Sequence, residues 1–175
     1  MTTAATSPTP EAPAIDTDTY IQSMGNVCKT VTIVSAKTSD AQPYGTTVSA
    51  FGGLSLDPPL VTVALDRGSV LLGHLQLGER VGVNILAHHQ AELAQKFAKS
   101  HPDKFCDTDW MWDHGLPRLA EIATWIACDI DQMIEGGDHV IIIGRVVHAE
   151  TSDAAPLVYA RRAFGTHSQF ATPGN

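Results

Sequence analysis

The stretch ATWIACDIDQMIEGGDHVIIIGRVVHAET, Ala123 to Thr151, constrains this fold more than any other part of the chain. Its β-branched and aliphatic residues flank Gly136-Gly137, so it reads as two long strands folded back on one another at a glycine turn. Shorter strands precede it. VTIVSAK (Val31 to Lys37) alternates and is rich in β-branched residues; the turn TSDAQPYG joins it to a second strand, TTVSAF. LVTVAL (Leu60 to Leu65) follows Asp57-Pro58-Pro59, which suits a strand start because proline cannot donate to a central ladder. RVGVNIL (Arg80 to Leu86) is a further strand.

Helical spacing is confined to short segments. From Asp16, Tyr20, Met24 and Val27 fall three and four apart; VLLGHLQL reads as a short helix capped by Ser69 and ended by Gly78; HHQAELAQKFAK carries Leu93 and Phe97. The segment SHPDKFCDTDWMWDHGLP reads as a polar, aromatic loop. Alternating strands joined by hairpin turns imply a mainly β, antiparallel barrel with short flanking helices, an arrangement that also removes exposed sheet edges.

The length of 175 residues fits one domain, expected over residues 15–167 between a disordered tail at 1–14 and a short tail at 168–175. A net charge of −8 with no basic stripe argues against nucleic acid as a partner. The charged fraction of 17% is low, which points to a buried interface and an oligomer. Cys28, Cys106 and Cys128 form no CxxC pair and are odd in number, as expected of reduced, structural thiols in a cytoplasmic protein. The first residues lack a basic start and an apolar run, and no stretch approaches the ~20 apolar residues of a membrane span.

Common catalytic signatures are missing. There is no GxGxxG after a strand, no GxxxxGK[ST] and no GxSxG; the eight histidines show neither HExxH nor HxH, so no metal site is expected. The hydroxyl-rich stretch TTVSAFGGLSLDPPL offers amides and small residues in place of acids and bases.

Three ordered blocks together carry a resemblance. YGTTVSAFGGLSLDPPLVTVALDRGSVLLGHL, then RVGVNILAHHQAELAQKFA, then EGGDHVIIIGRVVHAETSDAAPLVYARRAF resemble the flavin reductase-like family over about Tyr20 to Phe164. That family has an FMN-binding split barrel and includes the reductase components of two-component flavin-dependent monooxygenases. The resemblance implies FMN or FAD as cofactor, NADH or NADPH as hydride donor, a homodimer, and a transient flavin-dependent oxygenase partner. It also implies that Thr46, Thr47, Val48 and Ser49 lie along the flavin ring, with Ser55 and Asp57 toward its ribityl and phosphate. Asn84, Ile85 and Leu86 would approach the flavin; Gln90, Lys96 and Phe97 would reach it from the adjacent helix. His139, in the GDH turn, would stand near flavin and nicotinamide as a positioning and polarising donor, and one of Arg161 and Arg162, preferably Arg161, would meet a dinucleotide phosphate.

An isoalloxazine ring needs an apolar slot edged by amide donors, and hydride transfer needs stacked rings rather than a side-chain base. A different reading of the same residues is a flavin-carrying or flavin-sensing barrel without nicotinamide turnover. The chain departs from the family pattern at Lys29 and Thr30, usually small or hydroxylated, and at Ala94, where a hydroxyl is common.

Overall fold

The computed structural model describes residues 15–101 and 103–170, so the expected tail at 1–14 lies outside the described residues. Two antiparallel strands of 13 residues each, β9 (Thr124–Gly136) and β10 (His139–Thr151), form the central hairpin. Gly136 pairs with His139, which moves the turn one residue on from the expected Gly136-Gly137 to Gly137-Asp138. Gly137 takes φ +70°, a conformation that costs glycine nothing.

Five shorter strands extend this hairpin on both sides. On one side β6 (Arg80–Ile85) pairs with β9, β2 (Thr32–Lys37) with β6, and β3 (Pro43–Val48) with β2. On the other, β5 (Pro59–Asp66) pairs with β10 and β4 (Phe51–Leu56) with β5, giving the order β3-β2-β6-β9-β10-β5-β4. The two outermost strands, β3 and β4, are consecutive in the chain and separated by Ser49 and Ala50 alone. Val48 and Phe51 can therefore stand no more than about 11 Å apart, so the sheet must curl until its edges meet. Ala64 N–H donates to Ala50 O at 2.9 Å, carrying the β4–β5 pairing one residue past Phe51 up to the bend, yet no ladder joins β3 to β4 among the described residues. The result is a mainly β, antiparallel split barrel with its seam at Ser49-Ala50.

This closure corrects the reading of TTVSAF as one strand. The chain leaves β3 after Val48, bends, and re-enters the sheet at Phe51, so FGGLSL is a strand and only Asp57-Pro58 turns. Gly52 and Gly53 are tolerated in it because β4 is an edge strand that a register shift between Gly53 and Ser55 already loosens.

Strands β2 and β6 are buried on both faces, which alternation cannot reveal. Val34, Val63, Val83 and Ile142 fill the barrel interior. Ile33, Leu86, Phe97, Leu119, Trp125 and Leu157 form a second core outside it. The second core is covered by α2 (Ala91–Ala98) and by a hairpin of β7 (Trp110–Asp113) and β8 (Leu116–Leu119), part of the segment expected to be loop. The two cores meet at a tight crossing: a Cβ on Gly82 would lie 2.5 Å from the Trp125 ring.

Three outer segments complete the chain. Helix α1 (Thr17–Gly25) is capped by Asp16, which accepts from Thr19 N–H at 2.9 Å; it ends before Val27 and buries none of its residues, leaving Tyr20 and Met24 exposed. It lies against a small sheet of β1 (Lys29–Thr30), β11 (Val158–Ala160) and β12 (Ala163–Gly165), with Arg161 N–H donating to Gly25 O at 2.8 Å. VLLGHLQL forms one 3-10 turn, Leu72–His74, instead of a helix, because Leu71 and Leu75 drop into the barrel core on either side of it. Cys128 is buried, whereas Cys28 and Cys106 are exposed, against the expectation of a structural role for all three.

Candidate functional site

The seam of the barrel opens into a groove of about 390 Å³. Its floor is the end of β3 and the bend after it, Thr46 to Ala50; one wall is Ala64 to Val70 at the end of β5, the other the segment after α2. The sequence folds this way because β3 must stop where the edges meet, leaving small residues at the point of closest approach.

The floor is a row of donors and acceptors. Lys104 Nζ donates to Gly45 O at 3.2 Å, and the Thr32 hydroxyl donates to Val48 O at 2.9 Å from the β2 side. Backbone groups of an edge strand alternate between facing the partner and facing away, so Val48 and Thr46 look toward β2 while Gly45 and Thr47 turn their amides outward. The Thr47 hydroxyl is spent on Ala94 O at 2.7 Å, tying β3 to α2. The hydroxyls of Thr46 and Ser49 donate to no other group among the described residues, which leaves them for a ligand.

His139 stands on the rim, the first residue of β10, opposite Asp66 of β5. Its Nδ1 lies 2.7 Å from Asp138 Oδ1, and this contact holds the Asp138 carboxyl below its ordinary value. Arg67 secures the turn from the other side, its backbone N–H donating to Asp138 O at 3.0 Å and its Nε to Gly137 O at 2.8 Å. With Nδ1 anchored, Nε2 is the ring nitrogen left to meet a ligand. The Asp66 carboxylate accepts from Gly68 N–H at 2.6 Å and so is turned back to its own loop.

The groove thus gathers Thr46, Thr47, Val48, Ser49 and His139, and Ser69 joins them. The other expected residues lie elsewhere. Ser55 and Asp57 sit toward the far end of β4 from the seam. Asn84 is fully buried, with Nδ2 donating to Ile33 O at 3.0 Å and Ser35 Oγ at 3.1 Å, and Oδ1 accepting from Leu119 N–H at 2.8 Å. Its side chain pins three strands and reaches no opening. Leu86 and Phe97 have no exposed surface and belong to the second core, and Ile85 packs on the barrel core. Gln90 is consumed by the backbone, accepting from Ala87 N–H and donating to Ala120 O, both at 2.9 Å. Lys96 donates to Cys106 O and to Thr108 Oγ1, beside a separate cavity under α2 that Gln90 also borders. Arg161 is held by Asn26 Oδ1 at 2.7 Å in the β11–β12 turn; it does not line the groove but borders a neighbouring cavity that shares Ser49 with it.

Lys104 and Ser100, in the wall after α2, were not expected here. Nothing in SHPDKF distinguishes this lysine from a solvated one; it is drawn inward between β3 and the end of α2, against Gly45, Phe97 and the Tyr44 ring.

Small hydroxyls, outward amides and one oriented imidazole can hold and orient a flat polar cofactor. The set includes no nucleophile–base pair and no metal-binding cluster among the described residues.

Residues 24–168 match the model of the flavin reductase like domain. A Rhizobium meliloti protein named a probable flavin reductase is 37% identical over 137 residues, covering 78% of this chain and 44% of its own length. The chain therefore spans less than half of that relative. The reductase component of a Rhodococcus opacus 4-nitrophenol 4-monooxygenase/4-nitrocatechol 2-monooxygenase is 37% identical over 142 residues, covering 81% of this chain and 76% of its own. Among solved structures, the NADH:FAD oxidoreductase of Streptomyces globisporus, in complex with NAD and FAD fragments, superimposes with a TM-score of 0.82 at 27% identity, covering 92% of this chain and all of the other.

Proposed function

The chain belongs to the flavin reductase like domain family, and from that membership we propose that it is an NADH-dependent flavin reductase passing reduced FMN or FAD to a flavin-dependent monooxygenase. The observation that carries this reading is the groove at the barrel seam, where Thr46 to Ser49 and His139 converge although they are far apart in sequence. A bound flavin supplies the redox chemistry, accepting hydride from the nicotinamide. The protein supplies position. Outward amides of β3 and the free hydroxyls of Thr46 and Ser49 give the polar edge of a ring its partners, while Val48 and Ala50 leave room for close approach. His139, oriented through Asp138, presents Nε2 at the rim, where it can orient a carboxamide or a ring carbonyl.

The groove is lined largely by hydroxyls and backbone groups, and its buried cation, Lys104, is hydrogen-bonded to protein carbonyls, in keeping with a flavin that enters and leaves as a substrate. The monooxygenase component named for the Rhodococcus opacus relative supports an oxygenase as recipient. We further propose a homodimer, supported by edge strand β4, on which Leu54 and Leu56 are exposed. No helix among the described residues is long and apolar enough to cross a membrane, and exposed, unpaired Cys28 and Cys106 favour the cytoplasm.

The test is direct. Purified protein is mixed with NADH or NADPH and with FMN or FAD, following loss of nicotinamide absorbance. Flavin-dependent oxidation is expected, fastest with NADH; no oxidation with any of the four pairs refutes the enzyme. Yellow protein without turnover would instead make it a flavin carrier.

A further inference from the structure

We propose that Lys104 is the phosphate-recognition residue of the groove, giving it selectivity for phosphorylated ligands over riboflavin. The inference rests on the flavin reductase reading and assigns a substrate-selecting role to a residue outside the family resemblance.

Lys104 is 4% exposed, yet it lines the groove. Two of its ammonium hydrogens are directed to Phe97 O at 2.9 Å and Gly45 O at 3.2 Å, and the group lies 5.4 Å from the centre of the Tyr44 ring. An ammonium has three donors, and the third has no acceptor among the described residues. No carboxylate forms an ion pair with it there either. Burial accordingly pulls its pKa below the ordinary lysine value.

A tether between β3 and the end of α2 explains two of the donors, and the face of the Tyr44 ring offsets part of the charge, but no anion neutralises it. A neutral amide could make both of those bonds without the cost of an unpaired buried cation. An anionic oxygen in the groove would satisfy the third donor and neutralise the charge at once. Ser100 lines the same wall and supplies a hydroxyl beside it, whereas His139 occupies the opposite wall. A ligand with a polar ring at one side and a phosphate at the other matches that division. The phosphate could be that of the flavin or the pyrophosphate of the nicotinamide dinucleotide, and one experiment separates them.

Dissociation constants for FMN, riboflavin and NAD⁺ would be measured by flavin fluorescence and by competition, on the wild type, Lys104→Met and Lys104→Gln. The glutamine variant retains donors for the tether, and riboflavin affinity with a thermal melt reports an intact groove. Wild type should bind FMN about tenfold to a hundredfold more tightly than riboflavin, the range of one charge-assisted hydrogen bond. Both variants should lose most of that ratio while keeping riboflavin affinity, if the flavin phosphate is the partner. A preserved ratio with a similar loss of NAD⁺ affinity assigns Lys104 to the dinucleotide. Unchanged affinity for both in either folded variant overturns the proposal. So does a wild type that binds FMN and riboflavin equally and whose NAD⁺ affinity is insensitive to ionic strength, even if neither variant folds. No flavin binding by the wild type would sink the reductase reading along with it.

Discussion

Replacing Asn84 by alanine should destabilise the protein and spare its flavin affinity. The side chain makes three hydrogen bonds of good length, to Ile33 O, Ser35 Oγ and Leu119 N–H, in a site with no exposed surface. Each is worth about 1 kcal/mol net, so the change costs about 3 kcal/mol, and more if Leu119 N–H is left without any partner. For a domain of this size that lowers Tm by about 6–12 °C. Urea unfolding followed by tryptophan fluorescence is the assay, since Trp125 lies fully buried in the adjacent core. Asn84→Asp sharpens the test. The carboxylate keeps the acceptor for Leu119 but faces Ile33 O with a second acceptor, so it should destabilise at neutral pH at least as much. That loss should shrink in acid, where a protonated carboxyl can donate. An unchanged urea midpoint for Asn84→Ala together with weakened flavin binding would refute the argument and return Asn84 to the ligand site.

His139→Ala should lower kcat/KM for NADH by about tenfold, one hydrogen bond's worth, with little change in Tm because the imidazole is on the rim; unchanged kinetics would reduce it to a turn residue. Arg118 donates to Asp113 and, in bidentate fashion, to Glu150, and these bonds hold both carboxyls below their ordinary values. Groups depressed in the fold stabilise it above their unfolded pKa and lose that stabilisation as pH falls through the folded value, so urea midpoints should drop between about pH 5 and pH 2. Arg118→Gln should flatten that drop; an identical pH profile would dismiss the pair. An aromatic disulfide reagent should label Cys28 and Cys106 quickly in the native protein and Cys128 only on unfolding, because burial pushes the Cys128 thiol up to about 12. Rapid labelling of all three would contradict the packing of β9.

Local pattern carried most of the fold. β5, the start of β10 and the helix around Leu93 and Phe97 follow from alternation and spacing, whereas β2, β6 and β9 are legible from their runs of β-branched and aliphatic residues. What escaped local reading depends on closure. FGGLSL becomes a strand because β5 recruits it as an edge, and WMWD becomes half of a hairpin because the outer core needs a cover. The site divides the same way. Thr46 to Ser49 and His139 reach one groove, because they lie at strand ends that the seam brings together. Asn84, Leu86, Gln90 and Phe97 carry residue types that suit a ligand, yet the second core takes up their side chains, and a sheet buried on both faces leaves no mark in a one-dimensional pattern. Lys104 is the converse case, a surface residue by type that is enclosed between β3 and the end of α2.

The central claim is that the seam of the barrel is the flavin site. A crystal structure of the protein with FMN tests it most directly. The account predicts the isoalloxazine ring along Thr46 to Ser49, within reach of His139, and the phosphate toward the wall that holds Lys104. Flavin bound instead in the cavity beneath α2, against Gln90 and Lys96, would contradict it.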